Sequence, residues 1–523
     1  MKSSKILLLA SVGLCVASLV GCDKKHGNAI AQEGRLSITY YPGGYGTEYL
    51  DYFCKHFLAE KKGVNPSDIV PGVDYILDGD PDITYMWSTK IESPSTCPDL
   101  IISNSMSAQA VSRGLVANLE SVYNTEVSTS KGNRKIRDFV MKEAKEQYTY
   151  DFKGAGKFSF AMPWTAIPIS IAYNNTILQK IPHVSSIPVG EDALTNGKWS
   201  RAPKTVTELK AIFEDAGSYD SNLTKFGFSI SKDGANWFES LITTWWAQKQ
   251  GIDTEYSYTG EGSYYDFWEY KNEEIFKQTG IQDALATIKD LFVKDNKFVN
   301  SFPSVNSITV KQSQQAFAEG KALFCLTGDF FEKEYGSFIE QSQQDFRMMR
   351  VPAIDGAVTK DDGVTPIDLS YINISSCAYV PNKGANKDLA KEFLAYTSSE
   401  ENCKKMSEMI GAIRPFDYDA RNVNGYSGLS AFTKSVFNLF YDADDYLVKF
   451  PRNVETSKIS PVYLFENVSE NIFYAVQYGD VISSLLNYTP KQIMVDGTNI
   501  DSVYNSMKIN FDRWRSDYPE INE

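Results

Sequence analysis

The sequence predicts an α/β protein in which helices flank mostly parallel β-sheets. Short apolar strands alternate with amphipathic helices along the chain, and this alternation is typical of the class. The first strand, over 36–40, precedes a helix whose apolar stripe includes Tyr49, Phe53 and Phe57. Ligands of such sheets bind beyond the carboxyl ends of the strands, so candidate site residues are sought where strands end.

Later elements follow the same pattern. A short helix over 313–319 is followed by a buried strand over 322–326. Thr205 and Glu208 form a predicted capping box before another helix. Asn386 is a predicted cap for a helix near the end of the α/β pattern.

Charge and aromatic content limit the partners of the 523-residue chain. The formal net charge is −14, and phosphate binding needs a basic surface, so nucleic acid is not expected as a partner. Aromatic residues make up 13% of the chain. Most of these rings are expected in the core, but a few Trp residues outside helical patterns are candidates for stacking on sugar rings.

The N-terminus carries the strongest local signal. A basic start, an apolar run over 6–20 and a small residue before Cys22 are typical of a secretory signal peptide. The run is too short for a stable membrane span. The step Leu19-Val20-Gly21-Cys22 resembles the lipobox of bacterial lipoproteins, which implies cleavage after residue 21 and a lipid on Cys22. The alternative is an ordinary cleaved signal followed by an unmodified cysteine.

This assignment also defines the tether and the cysteines that remain in the mature protein. Residues 22–34 comprise the lipid-bearing Cys22 and a polar, flexible tether. An odd number of cysteines remains, so at least one thiol has no intramolecular partner, and their connectivity cannot be deduced from sequence. Buried free thiols are predicted for Cys54, Cys97, Cys325, Cys377 and Cys403.

The common catalytic motifs are missing. The sequence contains no P-loop, no His-Glu-x-x-His and no Gly-x-Ser-x-Gly, and its histidines are only His26, His56 and His183. We therefore predict no enzyme activity, no cofactor and no metal. A lipid-anchored glycan hydrolase remains an alternative, because a glycosidase needs only two carboxylates across a cleft.

A series of short segments carries a family resemblance from about residue 36 to Arg414. Their shared order resembles the family of extracellular solute-binding proteins that includes maltose-binding protein. After the first strand, Gly-Gly step and helix at 36–58, the segments are PDLII at 98–102, RGLVANL at 113–119, MPW at 162–164, IAYNN at 171–175, PKT at 203–205, AFAEGKAL at 316–323, YVPNKG at 379–384 and LAKEFL at 389–394.

The resemblance implies a two-lobed periplasmic-binding-protein-like fold with the ligand cleft between the lobes. The first crossing between lobes is expected over 161–173, where two prolines forbid a regular helix. The remaining boundaries are lobe I over 35–160 and 372–412, lobe II over 174–345, a second crossing region over 346–371, and a helical C-terminal region over 413–523 packed on the lobes.

The resemblance also implies a function. A carbohydrate, most simply an oligosaccharide, would be captured outside the cytoplasmic membrane and delivered to the permease subunits of an ABC importer. The chain would be a monomer, held by its N-terminal lipid at the outer face of the cytoplasmic membrane. Besides the hydrolase, a non-transporting adhesin or sensor with the same fold is an alternative, since fold does not fix function.

Four candidate ligand-binding residues follow strand ends of the first lobe. Gly43 and Gly44 separate a strand from a helix start, where backbone N–H groups can meet ligand oxygens, and a simple tight turn is the alternative. Tyr45 and Asn104 follow strand ends, and either could instead lie on a surface loop.

Four further candidates lie later in the chain. Trp164 belongs to the first crossing and could simply pack the hinge, whereas Trp237 is expected to face the cleft. Phe330 follows Gly328 at a step where the family supplies a stacking Trp, so weaker stacking is expected. Arg414 resembles a cleft-rim position of the family, with a structural salt bridge as the alternative.

Overall fold

The computed structural model describes residues 32–81, 83, 90–104, 110, 113–145, 148–152, 156–228, 236–252, 262–265, 278–292, 308–374 and 376–448. The predicted signal peptide, Cys22 and the tether as far as residue 31 lie outside the described residues. The part of the predicted C-terminal region from residue 449 onward also lies outside them.

Strands and helices alternate as the sequence predicts. The strands are β1 (Leu36–Tyr40), β2 (Tyr75–Gly79), β3 (Leu100–Ser103), β4 (Glu126–Thr129), β5 (Gly132–Lys135), β6 (Thr149–Phe152), β7 (Gly156–Ser159), β8 (Met162–Pro163), β9 (Ile167–Asn174), β10 (Leu194–Thr195), β11 (Lys198–Trp199), β12 (Thr224–Gly227), β13 (Ala322–Gly328), β14 (Phe346–Met349), β15 (Leu369–Asn373), β16 (Cys377–Tyr379) and β17 (Asp445–Val448).

The described helices flank these strands. They are α1 (Glu48–Lys62), α2 (Glu120–Tyr123), α3 (Ile136–Phe139), α4 (Lys142–Lys145), α5 (Asn175–Leu178), α6 (Val206–Tyr219), α7 (Glu239–Gln250), α8 (Thr279–Phe292), α9 (Val310–Ala318), α10 (Phe331–Ser342), α11 (Lys387–Thr397), α12 (Glu400–Ile410) and α13 (Ala431–Tyr441).

Two sheets form two lobes. The first sheet has the order β2-β1-β3-β16-β8, and the second has the order β12-β13-β9-β15-β17 with β14 also paired to β9. The chain leaves the first sheet after β8 and enters the second at β9, so Trp164 to Ala166 connect the lobes. It returns between β15 and β16. Residues 346–349 and 369–373 are strands of the second sheet, so this return lies later than the predicted region 346–371.

The two-lobed α/β fold predicted from the sequence is confirmed, but the sheets are mixed rather than mostly parallel. In the first sheet β1 pairs in parallel with β2 and β3, whereas β16 is antiparallel to both β3 and β8. In the second, β9 is antiparallel to β13, β14 and β15. The antiparallel pairs involve the strands on either side of the two crossings. A strand that arrives directly from the other lobe has no helical crossover to turn it parallel.

Helix starts show how side chains compete for backbone partners. Thr205 accepts a hydrogen bond from the Glu208 amide at 3.1 Å, as a capping box requires. The Glu208 carboxylate accepts from Arg201 instead of completing the box. Asn386 precedes α11 without capping it, because its side chain binds the backbone of Gly34 and Arg35. That side chain thus holds the start of the described chain against the first lobe.

Buried apolar side chains fill both lobes. In the first lobe Phe57 of α1 meets Phe393 of α11, with ring centroids 5.5 Å apart. In the second lobe Trp245 and Trp246 of α7 are completely buried. Cys54, Cys97, Cys325, Cys377 and Cys403 are all buried and free, which agrees with the predicted buried thiols.

The described C-terminal region packs on the second lobe. Helix α13 lies against β14, where the Met348 amide donates to the Ser435 hydroxyl at 2.7 Å. Strand β17 then pairs in parallel with β15. The region is therefore helix and strand rather than helical throughout.

Candidate ligand-binding cleft

A cavity of about 680 Å³ lies between the lobes. Of the eight residues proposed from the sequence, seven line it: Gly43, Gly44, Tyr45, Asn104, Trp164, Trp237 and Phe330. They come from the first lobe, the crossing segment and the second lobe, so the fold brings together positions almost 300 residues apart. Arg414 is the exception, because it does not line the cavity.

The loop after β1 supplies the first-lobe wall. Gly44 has φ +86°, a conformation that side chains with a Cβ rarely adopt. A Cβ built on Gly44 would lie 3.4 Å from Cβ of Phe330, so the backbone of this loop reaches the second lobe. A Cβ on Gly43 would collide with the ring of Tyr41. The two glycines therefore allow the loop to follow the aromatic surfaces closely.

Three aromatic rings form a connected wall, which we call the aromatic cluster: Tyr45, Trp237 and Phe330. The rings of Trp237 and Phe330 pack edge to face with centroids 6.0 Å apart. Tyr45 meets Phe330 in the same manner at 6.5 Å. Edge-to-face pairs stabilise ring positions by about 0.5–1.5 kcal/mol each. Trp237 is half-buried, so part of its ring remains accessible from the cavity.

The Tyr45 hydroxyl connects the lobes. It donates to Oδ1 of Asp329, which directly follows β13 in the second lobe, at 2.5 Å. Burial raises the pKa of Asp329 to about 7, although the Tyr45 hydroxyl and nearby backbone N–H groups lower it. Burial also raises the pKa of Tyr45, which therefore stays neutral near pH 7. Asp329 was not predicted, although its position between a strand end and Phe330 was a usable signal.

Trp164 lines the cavity, and Arg414 stacks on the side of its ring that faces away from the cavity. The Arg414 guanidinium carbon lies 4.1 Å from the centroid of the Trp164 ring. Trp164 also donates from Nε1 to the Tyr49 hydroxyl at 3.3 Å. The Ala166 amide bonds to the carbonyl of Ile413, which ties the segment before Arg414 to the crossing segment. The Arg414 side chain is fully buried in the first lobe, away from the rim position that the sequence suggested.

The environment of Arg414 is unusual for a charged group. Within the described part of the chain, no carboxylate accepts a hydrogen bond from the Arg414 guanidinium. In this part of the chain its Nε and Nη2 have no hydrogen-bond partner, and Nη1 donates only to the Thr397 carbonyl at 3.5 Å. Burial lowers the pKa of Arg414. Within the described residues, the salt bridge considered as an alternative for Arg414 is therefore absent as well. Arg414 contacts the ring of Trp164, so its connection with the cavity is indirect.

Polar groups that the sequence did not single out complete the lining. The Tyr371 hydroxyl on β15 donates to the Glu239 carboxylate at the start of α7, at 2.7 Å. At the edge of the cavity Lys311 and Glu334 form an ion pair at 3.7 Å. Glu239 lies two residues after Trp237, a predicted site residue, so its place in the site could have been inferred from the sequence. Tyr371 reaches the same wall only through the pairing of β15 with β9, which no short motif encodes.

Asn104 lies at the carboxyl end of β3 and is exposed at the cavity. Its side-chain amide provides one donor group and one acceptor oxygen. Together with Tyr45 and the Glu239–Tyr371 pair, it gives the cavity polar groups from both lobes. The lining therefore combines apolar ring faces with hydrogen-bonding groups, an arrangement that suits a ligand with both kinds of surface.

Within the described ranges, no group of three or more His, Cys, Asp or Glu side chains has an arrangement that could hold a metal ion. None of the helices in this part of the chain has the length and apolar character needed to cross a membrane.

Comparison with known proteins gives a family and a fold. The model of the family described as bacterial extracellular solute-binding protein matches residues 81–432, more than half of the 523-residue chain. A sequence comparison with curated proteins gives no match.

Several solved structures share the fold. The GacH receptor of Streptomyces glaucescens, described unliganded and with acarbose, gives a TM-score of 0.56 at 15% identity over 92% of this chain and 99% of the receptor. A protein described in work on xylan utilization by Caldanaerobius polysaccharolyticus gives 0.58 at 15% identity, over 91% and 99%. A Bacillus licheniformis sugar transporter in complex with stachyose gives 0.53 at 14% identity, over 92% and 100%.

At these identities the structural likeness establishes the fold alone. The family match is independent of it and extends from the first lobe through the second to the start of α13. The structural comparison agrees with the two-lobed fold described above. The chain therefore belongs to the family of bacterial extracellular solute-binding proteins.

Proposed function

We propose that this protein captures an oligosaccharide in the cleft between its lobes and delivers it to an ABC-type permease. The observation that carries the proposal is the aromatic cluster, which faces polar groups of both lobes across one cavity. Sugar rings have apolar C–H faces that stack on aromatic rings, and hydroxyl groups around their edges that need directed hydrogen bonds. Tyr45, Asn104 and the Glu239–Tyr371 pair supply such partners.

Cavity size and relatives support the same proposal. The volume of about 680 Å³ falls within the range of about 300–1,000 Å³ that is usual for small-molecule sites. The structures that share the fold are described with acarbose and with stachyose, both of which are oligosaccharides. Delivery to a permease is what membership of the family implies.

The protein is proposed to bind its ligand without converting it. Incubation with a panel of neutral oligosaccharides should raise the melting temperature for one class and leave that sugar intact on chromatography. A ligand at a hundredfold excess over its Kd adds about 2.7 kcal/mol of stability. A cleaved product would favour the glycan hydrolase. Stabilisation by peptides or amino acids alone would contradict the proposed ligand class.

Cys22 is proposed to carry a lipid that holds the protein at the outer face of the cytoplasmic membrane. The proposal rests on the sequence step Leu19-Val20-Gly21-Cys22. Cys22→Ser should move the protein from the membrane pellet to the soluble fraction, because the thiol is the attachment point. The conservative control Ser18→Ala, in the leader, should remain in the pellet. Retention of Cys22→Ser in the pellet after a salt wash would contradict lipid anchoring.

A further inference from the structure

One contact between the lobes buries a titratable carboxyl group of the second lobe against a tyrosine of the first lobe. We call it the Tyr45–Asp329 junction. Asp329 belongs to the second lobe, where it follows β13. Its carboxylate accepts from Tyr45 at 2.5 Å and lies near the backbone N–H of Ile413. Tyr45 follows β1, and Ile413 is hydrogen-bonded to the crossing segment at Ala166.

The burial of Asp329 therefore depends on residues outside its own lobe. Only 3% of Asp329 is exposed. The adjacent Gly44–Phe330 approach joins the lobes at the same place, since a Cβ on Gly44 would lie 3.4 Å from that of Phe330. A rotation that separates the lobes would remove Tyr45 from Asp329 and admit water to the carboxylate.

Among the described residues, few other charged groups lie at the junction. Tyr45 and, behind it, Tyr49 are phenols whose pKa values are raised by burial, so both stay neutral in the ordinary pH range. Arg414 follows Ile413, but its guanidinium is stacked on Trp164. On the second-lobe side Glu334 is paired with Lys311 at 3.7 Å, and Glu239 accepts from Tyr371.

We propose that the Tyr45–Asp329 junction is a pH-sensitive latch, which holds the lobes together when Asp329 is protonated and lets them separate when it is ionised. The latch is a property of the two lobes, so it holds whatever ligand the cleft takes. It would make the protein close more readily in an acidified medium and release its ligand more readily in a neutral one.

The sign of the effect follows from the environment of the carboxyl group. In the closed arrangement burial raises the pKa of Asp329 to about 7, whereas a hydrated Asp in separated lobes has a pKa of about 4. The closed state thus binds the proton more tightly. Its advantage is complete below about pH 4, and it is lost as the pH rises to about 7. Over that interval the ratio of closed to open protein falls by up to about tenfold per pH unit.

Small-angle scattering of the ligand-free full chain from about pH 5 to about pH 8 tests the latch directly. The radius of gyration is expected to increase with pH in the wild-type protein. Asp329→Asn, which keeps an acceptor for Tyr45 but cannot ionise, should keep the compact value throughout. Tyr45→Phe should be more expanded than wild type at each pH, because it loses the bond in both protonation states.

A matched control separates the junction from general effects of buried carboxyls. Burial raises the pKa of Asp368 to about 6, but Asp368 is paired with Arg350 inside the second lobe. Asp368→Asn should follow the wild-type curve. A wild-type radius that does not change with pH would overturn the latch. So would a pH dependence of Asp329→Asn equal to that of wild type, or a Tyr45→Phe curve that coincides with the wild-type curve.

Discussion

Replacing Trp237 with alanine is expected to weaken oligosaccharide binding about 30-fold or more, since truncating an aromatic anchor typically costs about 2 kcal/mol or more of binding energy. Stability should fall by only about 1–2 kcal/mol, because the ring is already partly exposed to the cavity. The variant would lose the edge-to-face contact between the rings of Trp237 and Phe330 and the packing of the Trp237 ring on the second lobe. Calorimetric titration with the sugar found in the panel measures the affinity, and urea denaturation measures the stability.

Trp245 provides a matched control eight residues later in the chain. It is completely buried in the second lobe, and its indole N–H donates to the Pro352 carbonyl at 2.8 Å. Trp245→Ala should cost about 3–5 kcal/mol of stability by leaving a cavity in the core. Binding by the folded fraction should change little. If Trp237→Ala showed the pattern expected for Trp245→Ala, Trp237 would be a core residue and would leave the site.

Much of the fold could be predicted because its signals are local. The strand at Leu36, the helix through Phe53 and the short helix before β13 each carry their own apolar periodicity. Pro163 and Pro168 predicted an extended crossing, and they lie in β8 and β9 on either side of it. The direction of strand pairing could not be predicted in this way. It depends on where the chain returns to a sheet, and the return between Asn373 and Cys377 has no distinctive sequence.

The candidate site likewise contains some residues with a local sequence signal and others without one. Positions at strand ends, such as Gly44, Asn104 and Phe330, could be found because loops after strands converge in α/β folds. Tyr371 could not be found, since its contact with Glu239 spans 132 residues. For Arg414 a local signal existed but gave an incomplete answer. A short motif placed it near the cleft, but the motif does not encode the direction of its side chain, which packs behind Trp164.

These observations give Gly44 a role that differs from direct ligand contact. Its positive φ lets the loop after β1 turn, and its missing side chain lets this loop approach Phe330 of the other lobe. The same approach brings Tyr45 within hydrogen-bonding distance of Asp329. If the lobes close as proposed, closure is expected to need the missing side chain at Gly44, and a side chain added there should act on closure before it acts on folding.

Gly44→Leu is accordingly expected to weaken ligand binding by at least about tenfold, or about 1.4 kcal/mol, with a ligand-free protein that scatters as a more open particle. The added side chain would extend toward Phe330, which already lies in van der Waals contact with a Cβ at this position. Gly63→Leu is the control, because Gly63 also has a positive φ of 65° but has open space around it at the end of α1. Both variants should lose about 1–2 kcal/mol of stability from the left-handed backbone. Only Gly44→Leu should lose affinity, because only there does the side chain stand between the lobes. Equal affinities for the two variants would show that the lobes bind ligand without the Gly44–Phe330 approach.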